Sequence, residues 1–535
     1  MQQVKMIITD MDGTLFTDDK RVTKTTIEAL KDAKDRGYII GIATGRAKFL
    51  AEKNVIDYGL KDVIDVIIGM NGSQIANYKN NTYTEGKKVS NDQIKVIVSK
   101  CKDTKFNVVS YSDKYLYAQQ MDKNVEGMVK ALGFPVSITN YGDDFTHDLS
   151  KILVMSETPF TEADMKFLKS MANEEYHGFE SSDSCFEIVH RTVSKSNGIK
   201  EVANSYGFDL ENVMVFGDSG NDIDMLSKCG VSVCMGNGTD EAKSISKYIT
   251  LTNEEDGLAA FLNKHVLYKD LKCAMLDLDG TILNDKKVIS DKNKEVLRKL
   301  SENGMLIGIA TGRPVSTIEK KIKSWQMNDV FSLIVGMNGA LVKDLRTSEF
   351  TTVGLIPENA AKEIVEVCES ENCQVMFADE GSIRMSNGSE LGDYISKQDE
   401  VEFIETDFEY ECGQKWPKIC IIFNTEEGKK EAQENYNKLT NKEIKGAFGS
   451  DISFELVNRT VDKGAGIKKA CEKLNIDLKD VVAIGDNFND LEMLQTVGLG
   501  VCMANGRDGV KEVSKYVTKY SNNEDGVGRF LEQFL

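Results

Sequence analysis

Unbroken apolar runs of strand length alternate with amphipathic stretches along this chain. "VKMIITD" (4–10) reads as a continuously apolar strand, and "YIIGIAT" (38–44) reads as another. Between them, "TKTTIEALKDAKDRG" (23–37) places Ile27, Leu30 and Ala33 on one helical face, with Thr23 as the N-cap and Gly37 as the C′ residue. The order returns at 290–311, where "SDKNKEVLRKLSENG" is followed by "MLIGIAT". Later in the first half, "SNGIKEVANSYG" (196–207) reads as a helix and "NVMVFGD" (212–218) as a strand. Apolar strands alternating with amphipathic helices imply an α/β fold, a parallel sheet with helices on both faces. The stretches near 83–188 and 350–456 differ. "KYLYAQQ", "KILVMSE" and "CQVMFAD" alternate apolar and polar positions there, which predicts an α+β insert standing apart from the sheet.

The pattern is written twice. "GIATGR" occurs at 41–46 and 308–313, and "GMNG" at 69–72 and 336–339. "CFEIVHRTVSKSNGIK" (185–200) matches "SFELVNRTVDKGAGIK" (453–468), and "VFGDSGNDIDML" (215–226) matches "AIGDNFNDLEML" (483–494). Asp277 follows Asp10 by 267 residues and Lys463 follows Lys195 by 268, half of a 535-residue chain. This is a tandem duplication of a whole domain unit, with its join near "NKHVLYKD" (263–270). The expected units are 1–267 (core 1–82 and 189–262, insert 83–188) and 268–535 (core 271–349 and 457–535, insert 350–456).

Composition removes several function classes. Net charge is −19 and no Lys/Arg block could track a phosphate backbone, so nucleic acid is not an expected partner. Eleven scattered cysteines without a C-x-x-C pair read as free thiols in a reducing compartment. No 18-residue apolar segment exists and the opening run is too short for a signal peptide, so a cytoplasmic protein without membrane contact is expected. All four histidines (His147, His177, His190, His265) lie in the first half. Chemistry shared by both halves therefore uses no imidazole, which disfavours Ser-His-Asp hydrolysis and His-based zinc sites.

The shared chemistry is carried by carboxylates. "DMDGTLFTDD" (10–19) and "DLDGTILNDK" (277–286) each follow an apolar strand with two aspartates one residue apart. Carboxylates at i and i+2 of a strand project the same way and repel, which calls for a cation. Ligands of an open parallel sheet sit at the carboxyl ends of its strands. Asp10 and Asp12 end the first strand, Thr44 the second and Asp218 a later one, and Lys195 starts a helix. Three clustered acids suit Mg²⁺, and a lysine with backbone amides beside them suits a phosphoryl group. Taken alone, Thr44 and Thr311 would read as helix N-caps and Asn221 as a capping residue. Lys151 and Lys418, which open the insert strands "KILVM" and "KICII", read as structural, and Trp325 and Trp416 as packing residues.

In this order, D-M-D-G-T, T-G-R, a lone lysine and G-D-S-G-N-D resemble the haloacid dehalogenase superfamily of phosphohydrolases. The G-M-N-G, the insert after it and the closing "NGTDEAKSISKYITLTNEEDG" resemble its Cof-type branch. The resemblance covers essentially the whole chain, once per copy. It implies two tandem Rossmann-like cores, each with an α+β cap domain, in a Mg²⁺-dependent phosphatase. Asp10 would be the nucleophile and form an aspartyl-phosphate, and Asp12 the general acid and base. Asp10, the Asp12 carbonyl and Asp218 would hold Mg²⁺, while Thr44, Gly45, Lys195 and Asn221 would hold the phosphoryl oxygens, with Asp222 supporting from behind. In the second copy, Asp277, Asp279, Asp486, Thr311, Gly312, Lys463, Asn489 and Asp490 would take the same roles. Implied substrates are sugar phosphates and other small phosphorylated metabolites. The core motifs match while the inserts diverge, which predicts two active copies with different substrate preferences. Two alternatives stay open: one active copy beside a binding or dimer-mimicking copy, and a phosphotransferase or phosphomutase. A duplication that mimics a dimer fits a monomer.

Overall fold

The computed structural model describes residues 4–112, 115–386 and 390–535. Lys114, which opens "KYLYAQQ", lies outside them, as do the "NGS" of the second insert (387–389) and the opening residues 1–3. The chain divides into two compact units, Met1–Leu267 and Tyr268–Leu535.

In unit 1 the core sheet runs Tyr248–Ile249, Val231–Cys234, Val213–Gly217, Met6–Thr9, Ile39–Ala43, Val66–Gly69, Gln74–Asn77, Thr82–Glu85. The first six strands are parallel. Gln74–Asn77 and Thr82–Glu85 add an antiparallel extension, a departure from the all-parallel expectation. Met6, Ile8, Val66, Ile68, Val213 and Val215 share one sheet face with Ile199, Val202 and Ala203 of the helix Lys195–Ser205. That packing seats the start of this helix beside the strand ends. The helix Lys24–Asp35 is capped by Thr23, whose side chain accepts from the Thr26 amide, and Gly37 follows it at φ +92°. Its buried face is Thr26, Ala29, Leu30 and Ala33, with Ile27 only half-buried at the edge.

Each insert forms a six-stranded sheet backed by helices. In unit 1 its order is Tyr176–Ser182, Cys185–His190, Ile152–Met155, Asn107–Tyr111, Leu116–Ala118, Val136–Ile138. Unit 2 repeats both sheets. Its core strands are Glu349–Thr352, Leu341–Asp344, Phe331–Gly336, Leu306–Ala310, Cys273–Leu276, Val481–Gly485, Leu499–Cys502 and Tyr516–Val517. The expected core–insert boundaries shift by a few residues. Thr82–Glu85 pairs on the core sheet, so that sheet runs to 85 rather than 82, and the insert sheet runs to His190 rather than 188. In unit 2 the corresponding ends are Thr352 and Asn458 rather than 349 and 456. Of the residues at these ends, Thr82–Glu85 is exposed along its length and is held by ladder pairing.

Among the described residues all eleven cysteines are free and no helix is long and apolar enough to cross a membrane. Trp325 is buried, and Trp416 packs on Phe377 with its indole N–H donated to the Glu411 carbonyl at 2.8 Å.

Candidate active site

Asp10 leaves the end of Met6–Thr9, with its N–H bonded to the Phe216 carbonyl of the neighbouring strand at 2.9 Å. Lys195, the first residue of its helix, is 1% exposed, and its ammonium lies 2.6 Å from Asp10 Oδ1 and 2.6 Å from Asp222 Oδ1. The other Asp222 oxygen accepts the N–H groups of Asp218 and Ser219 at 2.9 and 3.1 Å. Asp218 Oδ1 accepts the Thr14 hydroxyl at 2.8 Å. Carboxylate oxygens of Asp10, Asp218 and Asp222 lie within 4.8 Å of one another. Unit 2 builds the same cluster from Asp277, Asp486 and Asp490, with Lys463 2.5 Å from Asp277 and 2.6 Å from Asp490.

Two buried carboxylates and the half-buried Asp218 gather around one ammonium, and the titration of the groups reflects the imbalance. Burial drives the Asp10 carboxyl upward against the pull of Lys195, with Asp222 and Asp218 adding to the rise. Asp218 is pushed up to about 6, by burial first and then by Asp222. Burial opposes the charge on Lys195, yet Asp10 and Asp222 outweigh it and hold the ammonium protonated. Both Asp222 oxygens are committed, so Asp10 and Asp218 are the acids with acceptor capacity left. A hard divalent cation fits this surplus of buried oxygen charge.

Gly13 makes the approach possible. It sits at φ +76°, and a Cβ there would fall 2.5 Å from Asp218 Oδ2; Gly280 (φ +83°) meets Asp486 in the same way. Gly13→Ala should therefore destabilise the chain by roughly 1–3 kcal/mol. Gly37→Ala, also at positive φ but with open space around a Cβ, supplies the strain-only control. Equal shifts in denaturant midpoint for the two variants would show that the Asp218 contact contributes nothing.

The Asp12 carboxylate lies outside the cluster. Arg46 grips it with Nε at 2.8 Å and Nη2 at 2.6 Å, and Lys20 adds an ammonium at 2.9 Å. Burial works to raise the Asp12 carboxyl, but these two cations hold it below the usual carboxylate range. In unit 2, Arg313 divides its guanidinium between Asp279 (3.1 Å) and Asp399 of the insert (2.9 Å), and Lys287 meets Asp279 at 2.7 Å. The two arginines and two lysines are site residues that motif reasoning missed. The signal was there: each arginine closes "GIATGR", and each lysine follows the second aspartate by eight residues.

Thr44 and Thr311 end buried strands and accept the Arg46 and Arg313 N–H at 3.1 and 3.3 Å. Neither caps a helix, because Ala47 and Pro314 hold those N-cap positions. Asn221 is likewise no cap; Asp222 precedes the helix Ile223–Lys228. A Cβ on Gly45 would lie 3.2 Å from Asn71 Oδ1 and 3.8 Å from Asn221 Nδ2, so the three residues meet. Lys195, Asn221 and Asn71 line a cavity of about 490 Å³. Asp277, Asp279, Thr311, Gly312 and Asn489 line one of about 480 Å³ in unit 2, with Gln398 and Asp399 on its insert side. Asn71 and Asn338 are a second pair that motif reasoning missed, despite the repeated "GMNG".

A model of the haloacid dehalogenase-like hydrolase family matches residues 7–262 and again 274–531. The 5-amino-6-(5-phospho-D-ribitylamino)uracil phosphatase YcsE of Bacillus subtilis is 28% identical over 267 residues, spanning 50% of this chain and 96% of that protein. Phosphatase YwpJ of the same organism is 28% identical over 297 residues, spanning 50% of this chain and 100% of its own. Among solved structures, a haloacid dehalogenase-like hydrolase from Bacteroides thetaiotaomicron is 26% identical, with a TM-score of 0.46, and covers 50% of this chain and 100% of its own.

Proposed function

We propose that this chain, a phosphatase that belongs through both halves to the haloacid dehalogenase-like hydrolase family, releases orthophosphate from small phosphorylated metabolites at two sites. The observation that carries the reading is the carboxylate–lysine cluster built twice, Asp10–Lys195–Asp222–Asp218 and Asp277–Lys463–Asp490–Asp486.

The Asp10 carboxylate attacks phosphorus, forming an aspartyl-phosphate as the ester P–O bond breaks. Asp12 gives a proton to the departing oxygen, then takes one from the water that attacks the acyl-phosphate, so Asp10 and orthophosphate are restored. Lys195 orients Asp10 and faces the phosphoryl oxygens, with Thr44, Gly45 and Asn221 as further donors. Asp222 keeps Lys195 and the 218–219 turn in register. Asp10, the main-chain carbonyl of Asp12 and Asp218 would hold Mg²⁺, which when bound offsets the negative charge gathered on the transferring group. Arg46 and Lys20 favour ionised Asp12, the form that activates water. For the first step Asp12 takes a proton from solvent water once substrate oxygens draw those cations away, and the proton it later removes from the attacking water returns to solvent.

Different selectivity at the two sites rests on their insert sides. In unit 1, Phe49 and Leu50 of the core pack with Met128, Val129 and Leu132 of the insert in an apolar cluster around Tyr111 and Leu153. In unit 2, Glu380 accepts the Val315 and Ser316 N–H groups at 3.2 and 3.1 Å, and Asp399 pairs with Arg313. An apolar wall and an acidic one select different leaving groups. Free thiols and a strongly acidic surface fit the cytoplasm.

Rapid quench during turnover tests the chemistry. Label from a phosphorylated substrate should appear on Asp10 and Asp277 and not on Asp12 or Asp279. Label confined to the second aspartate of each pair would reverse the roles. Asp12→Asn should lower unit 1 turnover about 10²- to 10⁴-fold.

A further inference from the structure

One buried ion pair per unit has no part in the chemistry above. Lys151, just before the insert strand Ile152–Met155, is 5% exposed, yet its ammonium reaches out of the insert to the Gly45 carbonyl of the core at 2.8 Å. It also pairs with Glu187 of the insert strand Cys185–His190 at 3.2 Å. The second Glu187 oxygen accepts the side-chain amide of Asn71, back in the core, at 2.7 Å. The Asn71 N–H closes the circuit on the Thr44 carbonyl at 3.0 Å. Two core turns that face the phosphate site, 44–46 and 69–72, are thus cross-braced through the insert.

Unit 2 carries the same circuit. Lys418 meets the Gly312 carbonyl at 2.8 Å and Glu455 at 3.1 Å, Glu455 accepts from Asn338, and the Asn338 N–H meets the Thr311 carbonyl at 3.0 Å. In both units the Asn71 and Asn338 amide oxygen is buried without a partner and faces the glycine. Other insert–core contacts differ, with Phe49 and Leu50 against Met128, Val129 and Leu132 in unit 1 and Glu380 and Asp399 against Val315, Ser316 and Arg313 in unit 2, while this pair and its core contacts are the same. Stability alone is a weak reason for it, because desolvating two charges offsets most of their attraction. Meanwhile Met70 and Asn71 hold φ +48° and +54°, and Met337 and Asn338 hold +51° and +54°. Left-handed backbone at a methionine is uncommon and persists where surrounding contacts over-determine it.

We infer that Lys151 and Lys418 are positioning residues through which the seated insert sets the geometry of the phosphate-holding turn. The ammonium fixes the direction of the Gly45 carbonyl, and so the Gly45–Arg46 peptide whose N–H meets the Thr44 hydroxyl. Glu187 fixes which end of the Asn71 amide faces Gly45. With the insert displaced, the Gly45 carbonyl loses its cation and the Asn71 amide its carboxylate. The turn is complete only when the insert is seated, so catalysis and closure are coupled. The kinetic arm of this inference rests on the phosphatase reading.

The test uses the full chain carrying Asp277→Asn, so that turnover reports unit 1. Lys151→Met, Lys151→Met/Glu187→Gln and Asn71→Gly (a turn that suits glycine) are compared with that parent. Melting temperature, kcat and KM for the parent's best ester, and hydrogen exchange at amides 44–46 and 70–72 are recorded. Lys151→Met leaves Glu187 buried and unpaired, and the double variant relieves this, so melting temperature should recover in the double. Under the positioning role kcat nevertheless stays about 10- to 100-fold below the parent, and the turn amides exchange faster. Return of kcat along with melting temperature would reduce the pair to scaffolding and overturn the inference. If the double variant does not regain stability, Asn71→Gly decides: a lowered kcat supports the brace and an unchanged kcat overturns it. A parent that releases phosphate from no ester while the wild type does makes unit 1 a passenger, and a wild type that releases none sinks the phosphatase reading itself. Exchange then judges alone, with protection of 44–46 and 70–72 equal to the parent's counting against the brace.

Discussion

Asp10→Asn is expected to silence one subset of phosphate esters and Asp277→Asn a different subset, each by about 10⁴-fold or more, the scale on which removal of a covalent nucleophile acts. The double variant should release no phosphate from any of them. Both cores present the same reacting set, with Lys195 and Lys463 each held between two carboxylates at 2.5–2.6 Å. Neither unit has lost a group that the chemistry needs. The insert–core contacts do not match: Leu132 packs in one apolar cluster with Phe49 and Leu50, whereas Asp399 pairs with Arg313. On the proposed mechanism, equal chemistry behind unequal walls would give two specificities in one chain. The measurement is phosphate release over a panel of small phosphate esters with the wild type, the two single variants and the double. If one single variant silences the whole panel, the other unit is a passenger.

Chelation is expected to be as severe. EDTA should suppress phosphate release at both sites by about 10³-fold or more, the rate equivalent of several kcal/mol of charge stabilisation, and Mg²⁺ should restore it. Without a cation, Asp10 is held upward by burial and by its neighbours, and Asp218 and Asp486 sit near about 6. Protons then compete with metal for these oxygens. Apparent Mg²⁺ affinity should therefore rise from about pH 5 to about pH 7.5, because binding displaces the protons that the raised carboxyls retain at low pH. Calorimetric titrations at several pH values measure this directly. Undiminished turnover in excess chelator, or affinity that falls with rising pH, would remove the metal from the account.

Residues fixed by short-range geometry were legible in the sequence. Asp10, Thr44 and Asp218 follow unbroken apolar runs, so their placement at strand ends needed only the parallel-sheet rule. Lys195 was legible because its string occurs twice. What escaped were contacts that depend on side-chain reach. Nothing in the order of residues says that Arg46 turns toward Asp12, or that Lys151 bridges 106 residues to a carbonyl. A lone lysine ahead of an apolar strand reads as a strand edge, and only the fold puts a core glycine in front of it. The outer core strand Thr82–Glu85 was not legible, because it is exposed along its length and carries no apolar signal.

The brace has a consequence for how such a chain is elaborated. Each insert enters and leaves the core at equivalent strands, after Glu85 and Thr352 and before the helices that begin at Lys195 and Lys463. The core partners it must meet are Gly45 and Asn71 in one unit, Gly312 and Asn338 in the other, the same residue types in the same turns. A transplanted insert would meet the same residue types at its lysine and glutamate contacts. Divergence is free to act on the remaining wall, so a duplicated copy can acquire a new substrate without rebuilding its connection to the catalytic core.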